Sequence, residues 1–148
     1  RAIDLGGSVL VFKLDGDHLL PTPEIVQAEV PVLPDDNYST EQIREGDNLY
    51  HAQCASCHGA IGVPNEVAII APDLRLMGLD THSDMENIVI DGARAQLGMP
   101  DFKEAISEQQ LESIRAFAVD QARRLLEYQQ QNKESIEAAA NEEALKHG

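Results

Sequence analysis

The stretch Cys54-Ala55-Ser56-Cys57-His58 constrains this chain more than any other. Two thiols three residues apart, with a histidine directly after them, form the covalent attachment signature of a c-type haem. The spacing follows from the chemistry: each thiol adds to one vinyl group on the same edge of the porphyrin, and one turn of helix spans that edge. His58 then swings beneath the ring and offers an imidazole nitrogen to the iron. Three other readings of the string are weaker. A zinc site wants four protein ligands, and the chain has two cysteines. A thioredoxin-like pair opens a helix after a strand, whereas the residues before Cys54 have a helical pattern. A disulfide across two intervening residues closes a small, strained ring.

A large flat cofactor also suits the composition. Aromatics make up 4% of the 148 residues and tryptophan is absent, so a haem would supply much of the apolar mass of the core. That length gives room for one domain with a sizeable core and extra segments at either end. The formal charge of -15, from 26 acidic and 11 basic residues, argues against nucleic acid or anionic lipid as a partner. It favours a basic docking partner, or a fixed one for which charge matters less. No run reaches membrane-spanning length and no basic, then apolar, leader opens the chain. Starting at Arg1, it reads as a mature or excised product. Haem is joined to cysteines outside the bacterial cytoplasm, so the periplasm is the expected location.

Taken in order, residues 1–20 hold an apolar, β-branched run, Val9 to Leu14, between Gly6-Gly7 and Asp15-Gly16. It reads as one strand and a tight turn. A lone strand must pair with something: either His18-Leu19-Leu20 folds back on it, or its partner lies in another domain. Residues 21–38 carry Pro21, Pro23, Pro31 and Pro34 and read as a semi-rigid connector running over a surface. Ser39 to Gln42 is a capping box that opens a helix through Ile43, Gly46 and Tyr50 to about Cys54. Gly46 and Tyr50 share a face, and the missing side chain at Gly46 invites close approach by another helix. From Gly59 to Thr81 the chain reads as loop. Ser83 to Glu86 reads as a second capping box, opening a short helix that Gly92 terminates. Ser107 to Gln110 is a third. Its helix carries Leu111, Ile114, Ala118, Ala122 and Leu125 at helical spacing, the natural face for Gly46 and Tyr50. After Tyr128 the segment 128–148 keeps high helix propensity with little apolar face, and either continues that helix or forms a separate one.

Met99, in Gly98-Met99-Pro100 between two helices, is the first candidate for the sixth iron ligand. Its neutral thioether raises the potential relative to two histidines. Met77, in a loop, is its rival, and Met85 reads as core. Among the other histidines, His51 is too close to the attachment helix to reach the far face. His18, His82 and His147 read as surface residues.

These motifs together resemble the class I cytochromes c over about residues 39–127: Gly46 with Tyr50, then Cys54 to His58, Pro72-Asp73-Leu74, Gly98-Met99-Pro100 and a terminal amphipathic helix. The resemblance implies an all-α class I cytochrome c fold, three to five helices around one covalently bound haem. To it are added an N-terminal strand and proline-rich arm and a long C-terminal helix. It further implies that the Pro72 carbonyl accepts a hydrogen bond from His58 and that Leu74 packs on the haem. Pro72-Asp73-Leu74-Arg75, Gly98 to Phe102 and Ser107 to Gln110 are similar to one branch, the C-terminal cytochrome domain of quinohaemoprotein alcohol dehydrogenases. Leu10 to Gly16 resembles the closing strand of the propeller that holds pyrroloquinoline quinone (PQQ) there. By that likeness Arg75 lies near a haem propionate, and the acidic segment 128–148 departs from the family pattern.

The expected function is a one-electron relay from a PQQ-containing dehydrogenase domain or subunit to a periplasmic redox protein or a quinone pathway, with no catalysis by this chain alone. The alternatives are an independent soluble c-type cytochrome and a haem enzyme or sensor with an open sixth position.

Overall fold

The computed structural model describes residues 28–61 and 71–147, with side chains of the last helix as far as 135. The expected strand over 9–14, its return arm at 18–20 and the start of the connector lie outside the described residues. So do His18 and the side chain of His147. Among the described residues the chain is helical, without strands.

Helix α1, Thr40–Gln53, starts on the expected box: the Gln42 amide donates to Ser39 Oγ at 3.2 Å, and the Ser39 amide donates to Gln42 Oε1 at 3.1 Å. Helix α2, Ala55–His58, follows after Cys54. Helix α5, Glu108–His147, opens in the same way on Ser107 and Gln110. Its apolar stripe, with Leu111, Ile114, Ala118, Ala122 and Leu125, is buried as its spacing requires. The core forms where α1 crosses α5. Gly46 is buried there, and a Cβ built on it would lie 1.8 Å from the Ser113 carbonyl oxygen, so the two backbones touch. One turn on, Tyr50 is fully buried with its ring 5.3 Å from that of Phe117. Ser113 Oγ donates to Glu45 Oε2 at 2.7 Å across the same crossing.

Helix α5 continues unbroken past Tyr128 to His147, because no proline or glycine interrupts it. Part of its flank is covered by the connector. Gln129 Nε2 donates to the Ala28 carbonyl at 2.9 Å, Arg123 donates to the carbonyls of Pro34 at 3.2 Å and Asp36 at 2.8 Å, and Arg115 pairs with the Asp36 carboxylate at 3.3 Å. As the connector runs from 28 to 36, its partners run from 129 back to 115, so it lies antiparallel to the helix. The lengths agree: 14 helical steps at ~1.5 Å cover about 21 Å, and eight extended steps at ~3.1 Å cover about 25 Å.

Three expectations need correction. The stretch before Thr81 is not all loop: Leu74–Leu76 forms a 3-10 turn, and α3, Leu79–Ser83, precedes α4, Met85–Val89. Ser83 therefore caps nothing. Its hydroxyl donates to the Leu79 carbonyl at 3.0 Å, the local bond that competes with capping in serine. Nor is His82 a surface residue. The helical turn at α3 carries it inward to 4% exposure, where His82 Nδ1 and Arg115 Nε are both buried without a hydrogen-bond partner among the described residues. Burial pushes the pKa of His82 down, Arg115 adds to this and Asp36 opposes it. Helix α4 ends at Val89 with Ile90 as its C-cap, two residues before Gly92, whose φ of +73° turns the chain onward.

Candidate cofactor site

The α1–α2 junction, the loop before the 3-10 turn and the loop before α5 enclose a cavity of about 460 Å³. Cofactor sites run from roughly 300 to 1,000 Å³. Cys54, Cys57 and His58 stand on its wall together with Pro72, Leu74 and Met99, while α4 and α5 contribute Met85, Ile88, Leu111 and Ile114. The cavity is therefore apolar over most of its surface, with sulfur and one imidazole as its characteristic donors.

Each of these groups is held by local structure. The Cys54 amide donates to Tyr50 O at 2.8 Å and ends α1, and the His58 amide donates back to Cys54 O at 3.0 Å. Tyr50 Oη donates to the Gly59 carbonyl at 2.6 Å, which locks the end of α2 onto α1. His58 is buried, and its Nδ1 lies 2.7 Å from the Pro72 carbonyl. A carbonyl can only accept, so the proton sits on Nδ1 and the lone pair on Nε2 is left for a metal. The Ala71 amide donates to Cys57 O at 3.2 Å and holds the two segments in register.

Cys54 and Cys57 are not joined by a disulfide. Burial, with the neighbouring Cys57 adding, pushes the Cys54 thiol up to about 11, so it stays protonated at neutral pH. The helix before Cys54 removes the thioredoxin-like reading. Among the described residues no group of three or more His, Cys, Asp or Glu side chains could hold a metal ion. The donor set and the apolar walls fit a haem.

Met99 is partly buried. It follows Gly98, whose φ of +94° makes the turn, and its amide donates to Arg94 O at 3.3 Å. The Phe102 amide donates to Val89 O at 2.9 Å and pins the far side of the loop to α4. Met77 and Met85 also line the cavity, but both are buried in the core cluster. Leu74 is on the wall. Arg75 is not: it is 3% exposed and its guanidinium grips the Asp73 carboxylate, with Nη2 to Oδ2 at 2.7 Å and Nε to Oδ1 at 3.0 Å. Several wall residues escaped the sequence reading, Arg94 and Leu97 among them. Arg94 brings a cation to the cavity, and Leu97, 84% exposed, stands at its edge. The available signal was a basic residue five places before Met99.

No helix among the described residues is long and apolar enough to cross a membrane. Residues 41–117, just over half the chain, match the family model described as cytochrome C oxidase, cbb3-type, subunit III. The quinohemoprotein alcohol dehydrogenase ADH IIB of Pseudomonas putida is 33% identical over 75% of this chain and 16% of its own length. The dehydrogenase subunit of a quinone alcohol dehydrogenase from Gluconobacter oxydans is 29% identical over 93% of this chain and 18% of its own length. Among solved structures, the quinohemoprotein alcohol dehydrogenase ADHIIG from Pseudomonas putida superposes with a TM-score of 0.53 at 30% identity. It covers 70% of this chain and 14% of that one. The quinohemoprotein alcohol dehydrogenase from Comamonas testosteroni gives 0.54 at 28% identity, over 69% of this chain and 15% of that one. The chain thus spans about a sixth of the relatives it matches.

Proposed function

This chain belongs to the cytochrome c family, and from that premise we propose that it is the one-electron relay of a PQQ-dependent alcohol dehydrogenase, passing electrons from the dehydrogenase domain to a periplasmic redox protein or quinone pathway. One observation carries the reading: Cys54, Cys57, His58 and Met99 share the wall of a single apolar cavity, with His58 oriented by the Pro72 carbonyl. When bound, covalent haem c supplies an iron that changes charge by one electron, and that chemistry is the cofactor's own.

The residues do the rest. Cys54 and Cys57 would hold the haem through their thiols, and His58 Nε2 and Met99 Sδ would ligate its iron, with the Pro72 carbonyl keeping the imidazole from rotating. Leu74, on the cavity wall, would pack on the haem and keep water from it. Arg75, paired with Asp73, braces the turn behind Leu74. A fixed ligand pair and a dry pocket leave little to rearrange when the charge changes, which is what a relay requires.

The Gluconobacter match supports the dehydrogenase as donor. Covering 93% of the chain, it takes in the whole connector and reaches past Tyr128 wherever it begins, so 128–148 is less foreign to such proteins than its composition suggests. Alcohol oxidation itself belongs, in this reading, to the remainder of a protein of which this chain is the relay.

The first test is the visible spectrum of the purified protein, oxidised and reduced. The expected result is low-spin haem c with the weak far-red band of sulfur on ferric iron, and its loss in Met99→Ala together with a lower potential and new carbon monoxide binding. A high-spin wild type, or a Met99→Ala protein that behaves like it, would replace the relay with an open-site haem protein.

A further inference from the structure

Arginine is the natural partner for carboxylates, and in a chain of formal charge -15 carboxylates are plentiful. Arg44, Arg75, Arg115 and Arg124 each pair with one, and Arg123 is taken by two carbonyls. Arg94 is different. It stands on the wall of the cofactor cavity, partly buried, and its side chain has no hydrogen bond or ion pair among the described residues. A guanidinium presents five donors, and on the partly open wall of the cavity they are available to an acceptor that arrives with the occupant.

The backbone fixes where that cation is. The Arg94 carbonyl accepts from the amides of Leu97 at 2.9 Å and Met99 at 3.3 Å, so the residue is built into the same turn as the proposed axial ligand. A haem carries two carboxylates, its propionates, and no other anionic substituent. We propose that Arg94 holds a propionate of the bound haem and, as a positive charge near the iron, raises its reduction potential. This rests on the reading of Cys54, Cys57, His58 and Met99 as the haem site. It also divides the work between two arginines: Arg75, which the family resemblance places near a propionate, has its charge shared with Asp73, whereas Arg94 brings an uncompensated one.

The sign follows from charge. Ferric iron carries one more positive charge than ferrous, so a nearby cation disfavours the ferric form more. Losing it stabilises the oxidised protein.

The experiment is a redox titration of the haem-loaded wild type, Arg94→Gln, Arg94→Lys and Arg44→Gln. Arg44 is an exposed α1 residue paired with Glu41, and its loss changes net charge by the same amount. We expect the ferrous-to-ferric ratio of Arg94→Gln at a fixed solution potential to fall about tenfold, equivalent to ~59 mV for a one-electron couple. Arg94→Lys should keep most of the wild-type value and Arg44→Gln nearly all of it. A second readout is the propionate-bending band in resonance Raman, which should move in both Arg94 variants. If Arg94→Gln fails to take up haem, that band in Arg94→Lys decides. A potential for Arg94→Gln equal to that of the wild type or of Arg44→Gln, or an unmoved band, would overturn the assignment. A wild type lacking low-spin haem c would instead overturn the reading beneath it.

Discussion

Replacing Gly46 by alanine tests the central crossing of the fold. A Cβ at this position would meet the Ser113 carbonyl oxygen at 1.8 Å, the Ser113 carbonyl carbon at 2.5 Å and Phe117 Cβ at 2.9 Å. The first two are backbone atoms of α5 and cannot rotate away. The helices must therefore part until the shortest distance reaches about 3.0 Å, the closest that real Cβ atoms approach. A gap of that size forfeits a quarter to a half of each dispersion contact across it, and here it opens between Tyr50, Ile114 and Phe117. Overpacking costs roughly 1–3 kcal/mol, and the upper end applies because neither side yields. Alanine returns ~1 kcal/mol of helix propensity. The net loss is about 2 kcal/mol, which for a chain of this size lowers the melting temperature by roughly 4–8 °C. Urea unfolding of the haem-loaded protein, followed by circular dichroism, measures it. A variant as stable as wild type at an unchanged denaturant slope would show that the backbones do not meet at Gly46.

Two further outcomes follow from the connector and from His82. Arg123→Ala removes the guanidinium from the carbonyls of Pro34 and Asp36. Charged hydrogen bonds contribute ~1.5–3 kcal/mol and every 1.4 kcal/mol is tenfold, so a Glu-specific protease should cut after Glu29 about ten times faster while the haem spectrum stays unchanged; equal rates would mean that the connector is held elsewhere. For His82, burial holds the folded-state pKa below its ordinary value near ~6.5, so the unfolded chain takes up the proton first. The stability that His82 contributes is complete above that value and is lost as pH falls through the folded pKa. The wild-type minus His82→Gln difference in unfolding free energy should shrink between pH 8 and pH 5, and a flat difference would mean that the ring is hydrated in the fold.

What was legible in the sequence was whatever chemistry writes at fixed spacing. Cys54, Cys57 and His58 are dictated by the porphyrin edge, and the boxes at Ser39 and Ser107 by helix ends that need capping, so these required no tertiary knowledge. Ser83 had the same signature and failed, because a serine hydroxyl has two local partners and only the course of the chain decides between them. His82 was misplaced because α3 is five residues long, too short to display a period. The strap from Arg123 to Asp36 joins residues 87 positions apart, and nothing local announces such a pair. Arg94 was readable as a cation but not as a wall residue, since which way it faces depends on how the Gly92 and Gly98 turns fold.

These separate findings meet on α5. One stretch of that helix receives the backbone of α1 at Gly46, places Leu111 and Ile114 on the cofactor wall and, from Arg115 onward, carries the connector. Rotating α5 about its axis would therefore disturb the cavity and the strap together. Electron transfer falls off steeply with the gap between redox centres, so a relay hung on a freely jointed linker would spend most of its time out of range. If the connector leads to the dehydrogenase, as the Gluconobacter match supports, the three α5 side chains that hold it fix the cofactor relative to its donor through a single rigid element. The proline-rich sequence supplies stiffness, but Arg115, Arg123 and Gln129 convert that stiffness into a position.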